Sequence, residues 1–322
     1  MCVAAALVGV LLVALIWAQA GSWPWSGPES GGAPIAESSS ESGETSDDIA
    51  DNPNGEPIDS SVAGEPARER AHRPLVRLVA AGDTGTGDRA QRRTVAAMVD
   101  VTNGRPFDAL LLLGDIVYDV GNPRLVPRTV TKPFAPLVRT GAELIPALGN
   151  HDIILGRQDE ILHRLGRSDP YYVEHVGPLR VVVLDSNHVS EDQTAWLRRV
   201  LSADVSPRSW TVVIMHHPPY SAGGHGSSLP VRRSWSPLFE RYDVPLVLAG
   251  HDHDYQRSEP IRDVTYVVSG GGATLRPTGS RPFTAVSASV LHFLDIAVYR
   301  DRLLVRAVDQ SGGLVDRFAL HR

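Results

Sequence analysis

Five short segments of this sequence set carboxylate, amide, phenol or imidazole side chains directly after an apolar run. Gly82-Asp83-Thr84-Gly85 follows residues 75–81, and Gly114-Asp115-Ile116-Val117-Tyr118 follows 110–113. Gly149-Asn150-His151-Asp152 follows 144–148, His216-His217-Pro218 follows 212–215, and Gly250-His251-Asp252-His253 follows 246–249. These side chains offer oxygen and imidazole donors, the ligand types that bind divalent and trivalent ions of intermediate or hard character. One Gly-Asp pair alone reads as a turn or a helix cap, and one histidine as a hydrogen-bonded structural residue. The Gly-His-x-His spacing says more, because two imidazoles two residues apart can address neighbouring ions. All five segments in series point to a metal site.

For these donors to meet, the apolar runs must be strands whose carboxyl ends share one edge, where α/β proteins place their sites. The pattern supports this. Buried strands are expected over residues 75–81, 108–113, 143–148, 179–184, 210–215 and 245–249. Helices are expected over 89–101, 193–201 and 236–242, and a helix over 130–139 is weakened by Pro133 and Pro136. Beyond residue 263 the character changes to strands joined by short turns, over 264–269, 291–298, 303–308 and 314–319. Alternating β and α followed by hairpins predicts an α/β fold of the α+β type, with mixed sheets covered by helices.

The series Gly-Asp, Gly-Asn-His-Asp, a histidine after a strand, and Gly-His-x-His resembles the calcineurin-like metallophosphoesterases. The first motif departs from the superfamily's Asp-x-His, since Gly85 stands where the histidine would be. Tyr118, three residues after Asp115, goes with that departure. Gly-Asp-x-Gly paired with Gly-Asp-x-x-Tyr resembles the purple acid phosphatase branch, over residues 82–253, and in its small single-domain form. The resemblance implies a four-layer αββα sandwich of two mixed β-sheets flanked by helices, with the metal site at the carboxyl ends of the strands.

Carried over residue by residue, it implies that Asp83, Asp115, Tyr118 and His253 hold a first ion, Fe(III). Asp115, Asn150, His216 and His251 would hold a second, divalent ion (Fe, Zn or Mn), with Asp115 bridging. A phenolate suits a hard trivalent ion, and imidazole with amide oxygen suits a divalent one. With a bridging hydroxide the core would carry a charge of about +1, which favours a phosphate anion; a carboxylate at position 150 would cancel it. The expected reaction is hydrolysis of a phosphate monoester by a metal-bound hydroxide, with two ions about 3.5–4 Å apart. His151 is the expected proton donor to the leaving group, with Asp152 orienting its ring. His225, in the Gly-rich segment 221–228, is a second candidate for substrate contact. His217 either touches substrate or caps the turn before Pro218. For His163, His175, His188, His292 and His321 a surface or satisfied core position is expected. A phosphodiesterase or nucleotide pyrophosphatase on the same scaffold is the alternative, and a non-catalytic surface-tethered binding protein stands further off.

Composition bounds the rest. Ten of the 37 acids lie in residues 21–66, which contain no Lys or Arg, so the 31 bases and 27 remaining acids leave residues 67–322 at +4. A mildly basic domain suits an anionic substrate. Cys2, the one cysteine, excludes an intrachain disulfide framework. No nucleic-acid-binding motif and no internal repeat is present. Residues 1–20 read as a signal peptide ending at Ala18-Gln19-Ala20, or as an anchor tethering the protein through residues 3–18. Residues 21–72 read as an acidic disordered linker and 73–322 as the catalytic domain, secreted or held at the cell surface or in a periplasm.

Overall fold

The computed structural model describes residues 73–203 and 209–322, so the expected leader and linker lie outside the described residues. The chain opens with strand β1 (Val76–Ala81), helix α1 (Arg89–Asp100), β2 (Ala109–Leu113), a π-helical turn (Pro127–Thr131), α2 (Ala135–Val138) and β3 (Glu143–Ala147). Next come α3 (Gln158–Arg164), β4 (Tyr172–Val176), β5 (Leu179–Val183), α4 (Glu191–Ser202) and β6 (Trp210–Ile214). The short helices α5 (Leu229–Ser234) and α6 (Ser236–Arg241) precede β7 (Leu246–Ala249), β8 (Tyr255–Ser258) and β9 (Thr265–Ser269). Strands β10 (Thr284–Ala288), β11 (His292–Val298), β12 (Arg302–Asp309) and β13 (Leu314–His321) complete the order.

Two mixed sheets result. The first runs β13-β12-β11-β1-β2-β3, with β1, β2 and β3 parallel and β11 antiparallel to β1. The second runs β10-β8-β9-β7-β6-β5-β4, with β5, β6, β7 and β9 parallel and the outer strands antiparallel. The period-2 alternation of strands explains the layering, because successive side chains face opposite sides of a sheet. In β1, Leu78 and Ala80 face the second sheet, while Val79 and Ala81 face α1. In β6, Val212 and Ile214 face inward, while Val213 lies against α4–α6. Both faces of these strands are buried, so they read as continuous apolar runs rather than alternating ones. Three apolar layers therefore separate helix, sheet, sheet and helix, the four-layer αββα sandwich expected.

The strands predicted from apolar runs form within a residue or two of their expected ends. The segment 130–139 does not form one helix. A π-helical turn and the four-residue α2 replace it, with Pro127 and Pro136 each in the first turn of its helix. At the edge away from the strand ends, Arg77 donates to Asp295 at 2.9 Å and to the carbonyls of Val101, Thr102 and Arg105, tying the end of α1 to the sheet.

Candidate metal centre

Every expected ligand lies just past the carboxyl end of a strand, and the two sheets are stitched together there. Gly82 N–H donates to Ser269 O at 2.7 Å, and His251 N–H donates to the Asp83 carboxylate at 2.8 Å. Asp83, Asp115 and His251 take positive φ values of 57°, 51° and 74°. That left-handed conformation is uncommon outside glycine and is held only where surrounding contacts over-determine it. Here it turns each side chain sharply off its strand into the site.

The donors gather in two hubs. Around the Tyr118 hydroxyl lie Asp83 Oδ1 at 3.1 Å, Asp115 Oδ2 at 3.0 Å and His253 Nε2 at 3.2 Å. Around His216 Nε2 lie Asn150 Oδ1 at 3.0 Å, His251 Nδ1 at 3.2 Å and Asp115 Oδ2 at 3.5 Å. Asp115 Oδ2 belongs to both. His216 Nδ1–H donates to the Leu113 carbonyl at 2.9 Å, which fixes the tautomer and leaves a lone pair on Nε2. That lone pair faces an amide oxygen and a carboxylate oxygen. An imidazole nitrogen, an amide oxygen and a carboxylate oxygen thus converge, a donor set that suits a cation.

Electrostatics agree with this fit. Burial, reinforced by the Asp115 charge, pushes Asp83 well above the usual carboxylate range; burial also raises Asp115. Burial, with Asp83 and Asp115 next, raises the Tyr118 phenol. Burial holds His216 far below its ordinary value and brings His253 down to about 4, the Arg276 charge adding to it. Each group is driven toward its neutral form by desolvation and crowding, and a bound cation would reverse this for the carboxylates and the phenol. Asp83/Asp115/His216 and His216/His217/His251 each place one donor atom per residue within 4.8 Å of the others. His217, left between two roles by the sequence, thus stands beside the second hub, its Nδ1 2.9 Å from Ser186 Oγ.

The histidines expected to act on substrate take different positions. His151 borders the first hub, its ring 4.7 Å from that of Tyr118 and its Nε2 4.0 Å from Asp115 Oδ2. Asp152 does not orient it. The Asp152 carboxylate is fully buried and accepts from Val117 N at 2.8 Å, Ile116 N at 3.1 Å and Gly149 N at 2.8 Å, so it braces the ligand loops. The His151 ring is set instead by the Asp119 carbonyl, 2.6 Å from Nδ1. His225 stacks on His251 with ring centroids 4.3 Å apart. Its loop is held by Asp252, which accepts from His225 N at 2.8 Å and from Ser221 Oγ. Neither Asp119 nor Asp252 was singled out in the sequence; Asp252 could have been, as the residue between two expected ligands. His292 is buried and bonded through Ser269 and Val290, and His163, His175, His188 and His321 are exposed, as expected.

Comparison with known proteins agrees with this geometry. The model of the calcineurin-like phosphoesterase family matches residues 76–255. Purple acid phosphatase 21 of Arabidopsis thaliana is 31% identical over 210 residues, 58% of this chain and 46% of that one. Tartrate-resistant acid phosphatase type 5 of Mus musculus is 25% identical over 248 residues, covering 64% and 75% of the two chains. An uncharacterized protein of Mycobacterium tuberculosis is 30% identical over 128 residues, and the match spans 31% of this chain and 24% of that protein's length. Among solved structures, a purple acid phosphatase from yellow lupin (Lupinus luteus) superposes with a TM-score of 0.67 at 18% identity, over 78% of this chain and 55% of that one. The donor hubs, the two-sheet scaffold and a family match over more than half of its residues together show that this chain belongs to the calcineurin-like phosphoesterase family.

Proposed function

We propose that this chain is an exported acid phosphatase that hydrolyses phosphate monoesters with two metal ions, Fe(III) at the Tyr118 hub and a divalent ion at the His216 hub. The observation that carries the reading is the pair of donor hubs sharing one carboxylate oxygen of Asp115, with His151 beside them. When bound, the two ions supply a water of lowered pKa as nucleophile and neutralise charge on the phosphoryl oxygens.

The chain's own residues perform the remaining tasks. Asp115 fixes the spacing of the hubs, and Asn150 adds an oxygen without adding charge, so the site keeps its attraction for an anion. His151 hands its Nε2 proton to the leaving alkoxide. The Asp119 carbonyl holds the opposite nitrogen, and the side chain is one-third exposed (33%), open to reprotonation from solvent. His225 rests on the His251 ring and donates to the bound phosphoryl group. Gly85 and Tyr118 support a monoesterase over a diesterase. Residues 73–322 are the catalytic domain in this reading; export rests on the leader, and no helix among the described residues is long and apolar enough to cross a membrane.

Steady-state hydrolysis of phenyl phosphate and bis-phenyl phosphate by the full chain, between about pH 4 and 9 and beside Asp115→Asn, tests the proposal. Monoester turnover favoured in acid and lost in the variant is expected. A diester preference at neutral or alkaline pH would overturn it.

A further inference from the structure

A cleft of about 780 Å³ opens from the Tyr118 hub, with Tyr118, His151 and His253 forming its inner wall. Its lining also includes two guanidinium groups, Arg128 and Arg276, and a single carboxylate, Asp119. Neither arginine side chain makes a hydrogen bond or ion pair among the described residues, whereas Arg77, Arg157, Arg167 and Arg257 each hold a carboxylate.

Both are nevertheless placed by the fold. The Arg128 side chain lies on Gly87, where a Cβ would stand 2.9 Å from Nε and 3.0 Å from Cγ, so glycine at this position makes room for it. Arg276 N–H donates to His253 O at 3.0 Å, which ties its backbone to a ligand of the first hub. Val120, Leu125 and Leu275 add apolar surface to the same lining; Val120 and Leu275 are 39% and 45% exposed.

We infer that this cleft receives the leaving part of the substrate and selects phosphomonoesters whose leaving part carries a second anionic group, held by Arg128 and Arg276 across an apolar or aromatic body. Planar guanidinium forks suit carboxylate and phosphoryl oxygens alike. The inference rests on the hydrolase reading of the adjoining hubs and names the substrate class of the same site.

The test uses the full metal-loaded chain and three matched substrates: phenyl phosphate, 4-carboxyphenyl phosphate and 4-(phosphonomethyl)phenyl phosphate. For wild type, Arg128→Gln, Arg276→Gln and the double variant, the readout is kcat/KM of each anionic substrate divided by that of phenyl phosphate. Within one preparation this ratio is independent of the folded fraction, and comparison between variants cancels differences in leaving-group acidity. The ratio is expected to fall about three- to five-fold for each arginine and roughly ten-fold for both, through KM rather than kcat, as for contacts made equally in the ground and transition states. Arg198→Gln, the same charge change on the exposed face of α4, keeps the wild-type ratio. A fall confined to the phosphonate assigns a second phosphoryl group, and a fall with both anions assigns either; both support the inference. Turnover of phenyl phosphate with a ratio unmoved in the double variant overturns it and leaves the hydrolase reading intact. No turnover of any of the three by wild type overturns that reading and this inference with it.

Discussion

Gly85 and Tyr118 act as one device. Gly85 N–H donates to Asp115 O and Tyr118 N–H donates to Gly85 O, each at 3.0 Å, so the two ligand loops lie backbone to backbone. A Cβ at position 85 would stand 2.3 Å from the Ile116 carbonyl carbon. No histidine fits there without moving the loop, and the Tyr118 hydroxyl takes the place beside Asp83 and Asp115. Gly85→Ala is therefore expected to lower stability by about 1–3 kcal/mol and to weaken metal retention, checked by denaturant unfolding and metal analysis. Unchanged stability would mean that the loops yield freely. The pairing of Gly85 with Tyr118 was legible in the sequence as a pattern, but its cause was not, because it lies in a contact across thirty residues. Asp152 makes the same point from the other side. Its place next to His151 suggested that it set the ring, yet its carboxylate reaches backbone N–H groups more than thirty positions away.

At the scale of elements, the parallel strands were legible because both faces are buried, which writes them as apolar runs. The strands missed were those written otherwise. β8 reads Tyr-Gln-Arg-Ser, with Tyr255 and Arg257 bonding Asp316 and Gln256 bonding Asp254, and polar pairing replaces apolar patterning. β10 (Thr-Ala-Val-Ser-Ala) and β4 (Tyr-Val-Glu-His-Val), also missed, form the two edges of the second sheet and are mostly half-buried. The loop over 221–228 is likewise positioned by polar contacts, chiefly those of the buried Asp252 carboxylate with Ser221 and the His225 backbone. Asp252→Asn weakens a charge-assisted contact to each. The expected result is a rise in KM of about three- to ten-fold with two ions still bound, read from kinetics and metal content. Loss of metal instead would give Asp252 a share in the hubs themselves.

At the scale of the whole molecule, acid weakens the core that carries the site. His292 is completely buried between the sheets' ends, bonded to Ser269 and to the Val290 carbonyl, and burial lowers its pKa to about 4. An imidazole in the unfolded chain titrates near 6.5. Between these values the unfolded state holds the extra proton, so the fold is favoured fully above about pH 6.5 and loses stability as pH falls toward 4. The span amounts to roughly 3 kcal/mol. Denaturant unfolding at pH 7 and pH 5 is expected to show a smaller loss in His292→Gln than in wild type; parallel losses would contradict the assignment. Mixed sheets covered by helices, and the strand ends that bear the site, followed from apolar runs and strand-end motifs; the four layers followed from the family resemblance. The cleft beside the first hub did not, since Arg128, in the π-helical turn, and Arg276, in a loop, are brought to one cleft only by the fold.

Metal content bears most directly on the shared-carboxylate site, because it asks whether one oxygen of Asp115 joins two cation positions. Elemental analysis of the purified full chain and of Asp115→Asn, beside phenyl phosphate hydrolysis, is the measurement. Two ions per chain in wild type, iron among them, with fewer than two in the variant and its phenyl phosphate hydrolysis about a hundredfold slower, is the expected result. A wild-type chain that hydrolyses phenyl phosphate with one ion or none, or an Asp115→Asn variant that keeps two ions and full activity, would contradict the account.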